Sequence, residues 1–414
     1  MASSPPDAVP KDEVSWIDNQ LFESALEEKA EIVSIDVKRA TSKGDNFQSS
    51  LYRTRVEYRI PGSDAIVVKD FIVKSLPPGE FMQMWILQSG IFRTEISVYS
   101  KALPNMYTFA DSRLGETFKR FTPRFYQTTR PNTLILEDLK TQKFTMVPRK
   151  DRLDYTHAKL VLLYLARFHA LSIAYSASHS DFFSDFEETM FSEKFRQFFD
   201  QFFPPIAGTL IAAVKSWDGF GDIVKKLERN QSKFVDKLLE VCKPAEKFTN
   251  VLAHGDCWMN NILFEYSESG EPIDLRFVDF QASRKSSPAI DLHYFLFTSL
   301  QNEVRNKKFD DLLQIYCNEV ARFAKQLGYN ESIFTYDELR QEMDRTLFFG
   351  FNSAITTMAG LLANPDDTPD MKDMTQEKLE KGDLQIFNKT YENPVFREIF
   401  QDLLPYFDKH GVFD

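Results

Sequence analysis

Few features of this sequence suit a secreted, membrane-spanning or nucleic-acid-binding protein. Its only cysteines, Cys242, Cys257 and Cys317, are odd in number and widely spaced, which fits reduced thiols and gives no metal-ligand pattern. The most apolar segment, "KLVLLYLARFHAL", is interrupted by Lys159 and Arg167, so the sequence predicts no transmembrane helix. The formal net charge of −11 argues against a polyanionic partner such as DNA or RNA.

Targeting signals are absent as well. The first residues, "MASSPPDAVPKDE", have neither a basic start followed by an apolar stretch nor the Arg-rich character of a transit peptide. We therefore predict a cytoplasmic protein with no membrane partner. The sequence gives no indication of the oligomeric state.

The first third of the chain has the pattern of a small sheet that carries a helix. Residues 1–13 are rich in Pro and Ser and are predicted to be disordered, and residues 14–29 have apolar positions on one helical face. Three β-rich runs separated by turn residues then predict antiparallel strands, and the next segment is predicted to be helical up to Pro104. The apolar strand "TLILEDL" closes this part of the chain.

The rest of the chain is predominantly helical in pattern. The predicted fold is therefore of the α+β class, with a small antiparallel-sheet lobe containing one main helix over residues 14–139 and a large, mainly helical lobe over residues 140–414. Residues 181–248 are predicted to form a helical insertion in the second lobe. The 39 phenylalanines predict a Phe-rich core, a Phe-lined ligand pocket, or both.

The strongest chemical motif is "HGDCWMNNILF", which begins at His254. Asp256 and Asn261 are five positions apart and precede an apolar strand, which is the spacing of the Asp and Asn in a kinase catalytic loop. Phosphoryl transfer to an alcohol needs a carboxylate that accepts the hydroxyl proton and an oxygen ligand for magnesium. We assign these roles to Asp256 and Asn261, whereas a surface turn with incidental polar residues is the alternative.

Two further motifs complete a nucleotide site. Asp279, in Asp-Phe-Gln where kinases usually have Asp-Phe-Gly, ends an apolar strand and is predicted to bind Mg²⁺. Lys74 closes another apolar strand and Glu95 lies in the following helix, a pairing expected to hold the α- and β-phosphates of ATP. Lys69 is the rival lysine, and we prefer Lys74 because Asp70 beside Lys69 suggests a solvent-facing position.

The remaining contacts to a nucleotide are predicted from weaker patterns. In "SKGDNFQSSLYR" only Gly44 is present, so the loop resembles an ordinary turn, yet Ser49 and Ser50 could face the phosphates. In "LILEDLK" the carbonyl of Glu137 and the amide of Leu139 are predicted to meet the adenine edge, as in a hinge between lobes.

Two further polar residues are assigned supporting roles. His254 is predicted to brace the catalytic loop by hydrogen bonding, and Asp291 in "SPAIDLHYFLF" is predicted either to cap a helix or to brace the same loop. His169 is interpreted as a hydrogen-bonded core histidine rather than a catalytic residue.

Taken together, these motifs resemble the ecdysteroid kinase-like family, also called CHK kinase-like, which is related to choline/ethanolamine kinases and aminoglycoside phosphotransferases. The resemblance extends from about Trp16 to beyond Tyr294 and includes "KGDNFQSSLYR", "IVKSLP", "TEISVY", "LILEDL", "ARFHAL", "HGDCWMNNILF", "VDFQ" and "DLHYFLF". It implies a two-lobed, protein-kinase-like fold, ATP and Mg²⁺ as cofactors, and the same roles for the residues named above. Gln48 departs from the family's usual loop, where a small residue is expected.

The predicted function is ATP-dependent phosphorylation of a small-molecule hydroxyl. The abundance of Phe favours an apolar alcohol, and the resemblance suggests an ecdysteroid or a xenobiotic. A choline/ethanolamine-type kinase and a pseudokinase acting as a binding module remain alternatives. A protein kinase is less favoured, because the eleven residues between Asp279 and Asp291 leave little room for a peptide-docking segment.

Overall fold

The structure is a computed structural model, and it describes residues 9–26, 30–40, 49–187, 190–362 and 389–414. The loop residues Gly44 and Gln48, together with residues 1–8 of the segment predicted to be disordered, lie outside these ranges. Residues 11–13 of that segment are described and belong to a short helix.

A five-stranded antiparallel sheet forms the first part of the chain, with the strand order β1-β2-β3-β5-β4. Its central strands form because alternate residues are apolar: in β2, Tyr52, Val56 and Tyr58 are buried while Arg55 between them is exposed. The strands are β1 Glu31–Arg39, β2 Ser50–Arg59, β3 Ile66–Ser75, β4 Phe125–Tyr126 and β5 Thr133–Glu137.

The N-terminal segment forms two short helices, so the single helix expected from residue 14 onward is not formed. These are α1 Lys11–Val14 and α2 Asn19–Phe22. Asp18 separates them because its side chain caps α2, accepting a hydrogen bond from the Leu21 amide at 3.1 Å. Arg130 pairs with the other oxygen of Asp18 at 2.6 Å, which ties this segment to the start of β5.

Three helices cross the inner face of the sheet, and they do not end at Pro104 as predicted. They are α3 Glu80–Ser89, α4 Ile91–Ser97 and α5 Leu103–Leu114, with a π-helical turn at Val98–Ala102 between the last two. Pro104 lies in the first turn of α5, where a missing N–H costs little because the π-turn has already interrupted the regular hydrogen bonds.

The larger second part is mainly helical and contains two small ladders. Three helices, α7 to α9, lie in the range predicted as an insertion. The helices are α6 Tyr155–Ser176, α7 Arg196–Val214, α8 Gly221–Asn230, α9 Phe234–Val241, α10 Ala289–Thr298, α11 Asn302–Gln326, α12 Tyr336–Leu362 and α13 Pro394–Lys409. The short strands are β6 Val251–Ala253, β7 Ile262–Tyr266, β8 Pro272–Phe277 and β9 Arg284–Ser286, pairing as β6-β9 and β7-β8.

Helix α6 lies at the centre of the helical part. It is the one helix in the described ranges that is long and apolar enough to cross a membrane by length and composition, but 72% of its most apolar window is buried inside the structure. It packs against α11, β6 and β8. A core position therefore accounts for its composition.

The apolar interior is continuous from the sheet helices to the C-terminus. One cluster spans α3–α5 and the helical part, and a second, smaller cluster lies between the outer face of the sheet and α2. Phenylalanine supplies many of the most deeply buried side chains of the larger cluster: Phe121, Phe168, Phe203, Phe234, Phe264 and Phe277. The predicted α+β class and Phe-rich core are confirmed. The lobe boundary at residue 139 remains a prediction.

Candidate active site

Asp256 and Asn261 lie in the loop that connects β6 to β7. The last turn of this loop is a 3-10 helix, Met259–Asn261, which points the Asn261 side chain back toward Asp256. The Asn261 Nδ2 donates to the Asp256 backbone oxygen at 2.9 Å and to its Oδ2 at 3.0 Å. Because the Asn261 amide nitrogen makes both hydrogen bonds to Asp256, the amide oxygen of Asn261 points away from Asp256.

Gly255 allows this loop to pass close to the segment after β8. Its φ of +84° lies in the left-handed region, and a Cβ at this position would meet the Ala282 carbonyl oxygen at 2.0 Å. Only glycine fits here, and its lack of a side chain lets the Asp256 loop lie against the segment that contains Asp279.

Asp279 follows β8 with a left-handed backbone (φ +68°). The preceding Val278 amide donates to the Asn261 backbone oxygen at 3.0 Å, which fixes the two predicted metal-binding segments side by side. The next residue, Phe280, is fully buried against the rings of Tyr99 and His254, with centroid distances of 5.5 and 4.5 Å.

The Lys74 ammonium joins the sheet to this segment. Its Nζ lies 2.6 Å from Glu95 Oε2 and 2.8 Å from Asp279 Oδ1. Burial alone would lower the pKa of Lys74, but the charges of Asp279 and Glu95 raise it above the usual range. The rival Lys69 points elsewhere, with its Nζ 3.3 Å from the Ala25 carbonyl and 4.4 Å from the centre of the Tyr126 ring.

The charges in this cleft are unbalanced. Among the residues that the structure describes, Lys74 is a single ammonium near three carboxylates, those of Glu95, Asp256 and Asp279. Burial raises the pKa of Glu95 to about 7, although Lys74 opposes the rise. Burial likewise raises the pKa of Asp256 to about 6, and the charge of Asp279 adds to the rise while hydrogen bonds from Tyr294 and Asn261 oppose it. A cation bound in this cleft would relieve the excess negative charge.

Asp291 and His254 brace the loop. The fully buried Asp291 carboxylate accepts from the backbone amides of His254 (2.6 Å) and Gly255 (2.8 Å) and from His169 Nε2 (3.0 Å). Burial alone would raise the pKa of Asp291, but the hydrogen bonds from His169 and Gly255 hold it below its usual range. These contacts fit the bracing role predicted for Asp291, and His169, whose other ring nitrogen is 2.7 Å from the Tyr316 hydroxyl, is a buried hydrogen-bonded residue.

The His254 ring connects both sides of the site. Its Nε2 donates to the Val278 carbonyl oxygen at 3.1 Å, and its Nδ1 accepts from the Asp256 amide at 3.3 Å. This pattern requires the neutral ring, which agrees with a pKa that burial lowers from its ordinary value. The ring therefore links the segments that carry Asp256 and Asp279.

The residues predicted to contact a nucleotide lie at different levels of the sheet, because Glu137 pairs with Phe71, four residues before Ser75 on β3. Ser50 pairs with Ser75 and the neighbouring Leu51 with Lys74, so the buried Ser49 and the half-buried Ser50 lie at the Lys74 end of β3. Glu137 is the last residue of β5, and Leu139 begins a 3-10 helix, Leu139–Gln142. The Leu139 N–H has no partner within that helix, which leaves it available to an external acceptor.

The donors in the cleft fit a magnesium–nucleotide complex better than a free metal ion. Within the described ranges, no group of three or more His, Cys, Asp or Glu side chains could hold a metal ion. Asn261 and Asp279 offer only an amide oxygen and a carboxylate. Mg²⁺ commonly takes one or two protein ligands and completes its shell with phosphate oxygens and water, so this donor set suits a metal that arrives with phosphates.

The sequence reasoning missed two residues beside the site. Tyr294, which was quoted in a motif without a role, lies near the Asp256 carboxylate and opposes the rise that burial causes in its pKa. Its position three residues after Asp291 on α10 was the available signal, because residues three apart share a helix face. Arg284 is 1% exposed, and no carboxylate in the described ranges pairs with it. Instead, its guanidinium lies over the rings of Phe191 (4.6 Å) and Phe349 (5.6 Å).

Residues 43–329 match the model of the ecdysteroid kinase-like family. No curated protein matches the chain significantly. One of the solved structures that match is an ethanolamine kinase from Plasmodium vivax, at 11% identity and a TM-score of 0.37, covering 88% of this chain and 84% of that chain. That likeness says nothing about the acceptor of this chain.

Proposed function

Because this chain belongs to the ecdysteroid kinase-like family, we propose that it transfers the γ-phosphoryl group of ATP, in the presence of Mg²⁺, to the hydroxyl of an apolar small-molecule alcohol. The observation that carries the proposal is the position of the Lys74 ammonium, 2.6 Å from Glu95 and 2.8 Å from Asp279, in a cleft that also contains Asp256 and Asn261.

Each side chain has a separate task in the proposed reaction. Asn261 and Asp279 would hold the metal, and Lys74, positioned by Glu95, would hold the phosphates together with Ser49 and Ser50. The Glu137 carbonyl and the Leu139 amide would meet the adenine edge. When bound, ATP would supply the phosphoryl group, and Mg²⁺ would supply positive charge beside the carboxylate of Asp279.

Asp256 would accept the proton of the attacking hydroxyl. Its carboxylate retains partial access to the cleft while Asn261 holds one of its oxygens at 3.0 Å. A pKa of about 6 leaves the carboxylate ionised at neutral pH and makes it a stronger base than an ordinary aspartate. As the new O–P bond forms and the bond to ADP breaks, the hydroxyl proton moves to Asp256.

The surroundings of Asp256 favour an apolar acceptor without positive charge. From Tyr294 a series of ring contacts leads away from the base, to Phe349 at 6.1 Å and on to Phe191 at 5.8 Å. The same two phenylalanine rings carry the Arg284 guanidinium. A quaternary ammonium on those rings would meet a like charge, with a repulsion of about 3 kcal/mol at about 6 Å and an effective dielectric constant of about 20. A choline-type acceptor is therefore less favoured than a neutral alcohol.

An acceptor panel tests the proposal. Purified protein with Mg²⁺–ATP would be incubated with a polyhydroxylated steroid, a neutral xenobiotic alcohol, choline and ethanolamine, and the phosphorylated products would be measured by mass spectrometry. We expect transfer to the neutral alcohols. Exclusive transfer to choline or ethanolamine would contradict the apolar acceptor, and no transfer together with no Mg²⁺–ATP thermal shift would favour a binding module without nucleotide chemistry.

The variant Asp256→Asn tests the proton acceptor. We expect its rate to fall by about 10²–10⁴-fold, because the amide cannot take up the proton. The matched control is Asp64→Asn, which makes the same chemical change at an exposed turn between β2 and β3. Full activity of Asp256→Asn under conditions where the wild type turns over would reject the assignment.

A further inference from the structure

The Arg284 guanidinium is a buried charge whose hydrogen-bonding groups are mostly unused. Its Nη1 donates to the Ala282 carbonyl oxygen at 3.1 Å. The Nε and Nη2 are also buried, and among the residues that the structure describes no group accepts a hydrogen bond from either of them. A buried charge is costly unless a counter-charge and hydrogen-bond acceptors compensate it, so the surroundings of Arg284 lack an anionic partner.

The neighbouring groups do not supply the missing negative charge. The next residue on β9, Lys285, takes the carboxylate of Glu187 at 3.2 Å, and successive strand residues point to opposite faces. The Cys242 thiol is nearby, but burial raises its pKa to about 11 although Arg284 opposes the rise, so the thiol is neutral at pH 7. Arg284 thus remains unpaired while its neighbour on the strand is paired.

The pair of unused nitrogens is the one that binds carboxylates elsewhere in this chain. Arg55 holds both oxygens of Asp70 through Nε (2.8 Å) and Nη2 (3.2 Å), and Arg345 holds both oxygens of Glu342 through the same two nitrogens, at 2.8 and 2.7 Å. Because these N–H groups form a rigid fork, two parallel hydrogen bonds to one carboxylate match their geometry. Arg284 presents the same fork without an occupant among the described residues.

The Ala282 carbonyl connects Arg284 to the catalytic loop. The oxygen that accepts from Arg284 is also the one that lies 2.0 Å from the position of a Gly255 Cβ. In the β6-β9 ladder, Arg284 pairs with Ala253, three residues before Asp256. These two observations place the guanidinium beside the loop that carries the proposed base, within reach of the same acceptor molecule.

One of the two rings that enclose the guanidinium lies at the surface. Phe349 is fully buried on α12, whereas Phe191 is half-buried and precedes the short 3-10 turn Glu193–Phe195. Rotation of the Phe191 side chain would uncover the Nε and Nη2 of Arg284. An approach from the side of Phe349 would instead require movement of a 27-residue helix.

We propose that Arg284 binds a carboxylate on the acceptor alcohol, remote from the hydroxyl that is phosphorylated, and that Phe191 turns aside to admit it. This inference rests on the proposed function for the identity of the reacting hydroxyl. It deepens that function by giving the acceptor a second polar group, so that the preferred substrate is a hydroxy acid with an apolar body.

Matched acceptors test the inference. The probes are one hydroxylated steroid skeleton that ends in a carboxylate, in a primary amide or in a methyl group. For the wild type we expect kcat/KM to be highest with the carboxylate. Arg284→Met should lower kcat/KM for the carboxylate about 10- to 100-fold and leave the value for the methyl-ended steroid unchanged. Arg284→Lys keeps the charge without the fork and should give an intermediate loss.

Stability and direct binding separate a ligand-binding role from a structural one. Arg284→Met should not lower the urea midpoint of the free protein, because an apolar side chain of similar length replaces an unpaired buried charge. In calorimetry without ATP, the wild type should bind the carboxylate steroid at least about 10-fold more tightly than Arg284→Met. The control is Arg305→Met on α11, an arginine that is 4% exposed and donates to Asn302 at 2.9 Å; it should leave the selectivity unchanged.

The outcomes distinguish this inference from the proposed function. Equal kcat/KM for the carboxylate and methyl forms in the wild type, or unchanged selectivity in Arg284→Met, would overturn the carboxylate site and leave the kinase activity standing. If Arg284→Met does not fold, Arg284→Lys decides by the same ratio of kcat/KM values. No transfer to any acceptor, together with Arg284-dependent binding of the carboxylate steroid, would refute the proposed function and support the site.

Discussion

Gly255 gives the sharpest test of how the catalytic loop is held. In Gly255→Ala two penalties add: the left-handed backbone at φ +84° and a Cβ placed 2.0 Å from the Ala282 carbonyl oxygen. Real contacts of this kind are essentially never under 3.0 Å, so the two segments must separate by about 1 Å. We expect the left-handed alanine to cost about 1 kcal/mol and the forced separation about 1–3 kcal/mol more.

Activity should suffer more than stability. Ala282 lies three residues after Asp279, so the separation moves the Asp279 segment away from the Asp256 loop. Misplacement of catalytic groups by about 1 Å typically reduces rates by about 100-fold. The free energy of unfolding would be measured by urea denaturation, and kcat with the acceptor identified in the panel.

Gly62→Ala is the matched control for this substitution. Gly62 has nearly the same φ, +85°, but a Cβ there would meet no atom within 4 Å. The control therefore carries the backbone penalty without the clash, and we expect a loss of about 1 kcal/mol with unchanged kcat. Equal stability and equal kcat in the two variants would show that the contact with Ala282 does not hold the site together.

Two further predictions concern the nucleotide clamp and a buried histidine. Lys74→Met should abolish the Mg²⁺–ATP thermal shift and lower kcat at least about 100-fold, because Glu95 and Asp279 lose the Lys74 ammonium between them. The control Lys69→Met, on the same strand, should retain the thermal shift and the wild-type kcat. Equal behaviour of the two variants would contradict the assignment. Burial lowers the pKa of His293, whose Nε2 lies 2.9 Å from the Met343 carbonyl, to about 3, so the unfolded chain binds the extra proton below its own pKa of about 6.5. The free energy of unfolding should consequently fall by about 2 kcal/mol between pH 7 and pH 5, and His293→Gln should remove this part of the pH dependence; parallel curves for the two proteins would refute it.

The parts of the site that could be predicted from the sequence are those whose geometry is local. Asp256 and Asn261 are five residues apart in a tight loop, so their spacing almost determines their contact. Lys74 and Glu95 come from a strand and the helix that follows it, an arrangement in which the partners can be expected to meet.

Other features depended on packing between distant segments and left no pattern in the sequence. The partner of Tyr294 on α12 is 63 positions away, and no periodicity links the two. Arg284 is buried against the usual preference for arginine, because two phenylalanine rings from different segments enclose it. The helix passes Pro104 because a π-turn precedes it, which helix-breaking rules do not anticipate.

The charges of the cleft divide it into two chemically different halves. On the side of the sheet, three carboxylates share one ammonium within the described ranges, an imbalance that binding of Mg²⁺ would reduce. On the side of α10 and α12, the arrangement is reversed, since the Arg284 guanidinium is buried among aromatic rings without a carboxylate partner in the described ranges. In the proposed reaction, an acceptor that approached Asp256 from the side of α10 and α12 would therefore meet the positive charge of Arg284. This asymmetry is the physical reason to expect that a neutral or anionic alcohol, rather than a cationic one, reaches Asp256.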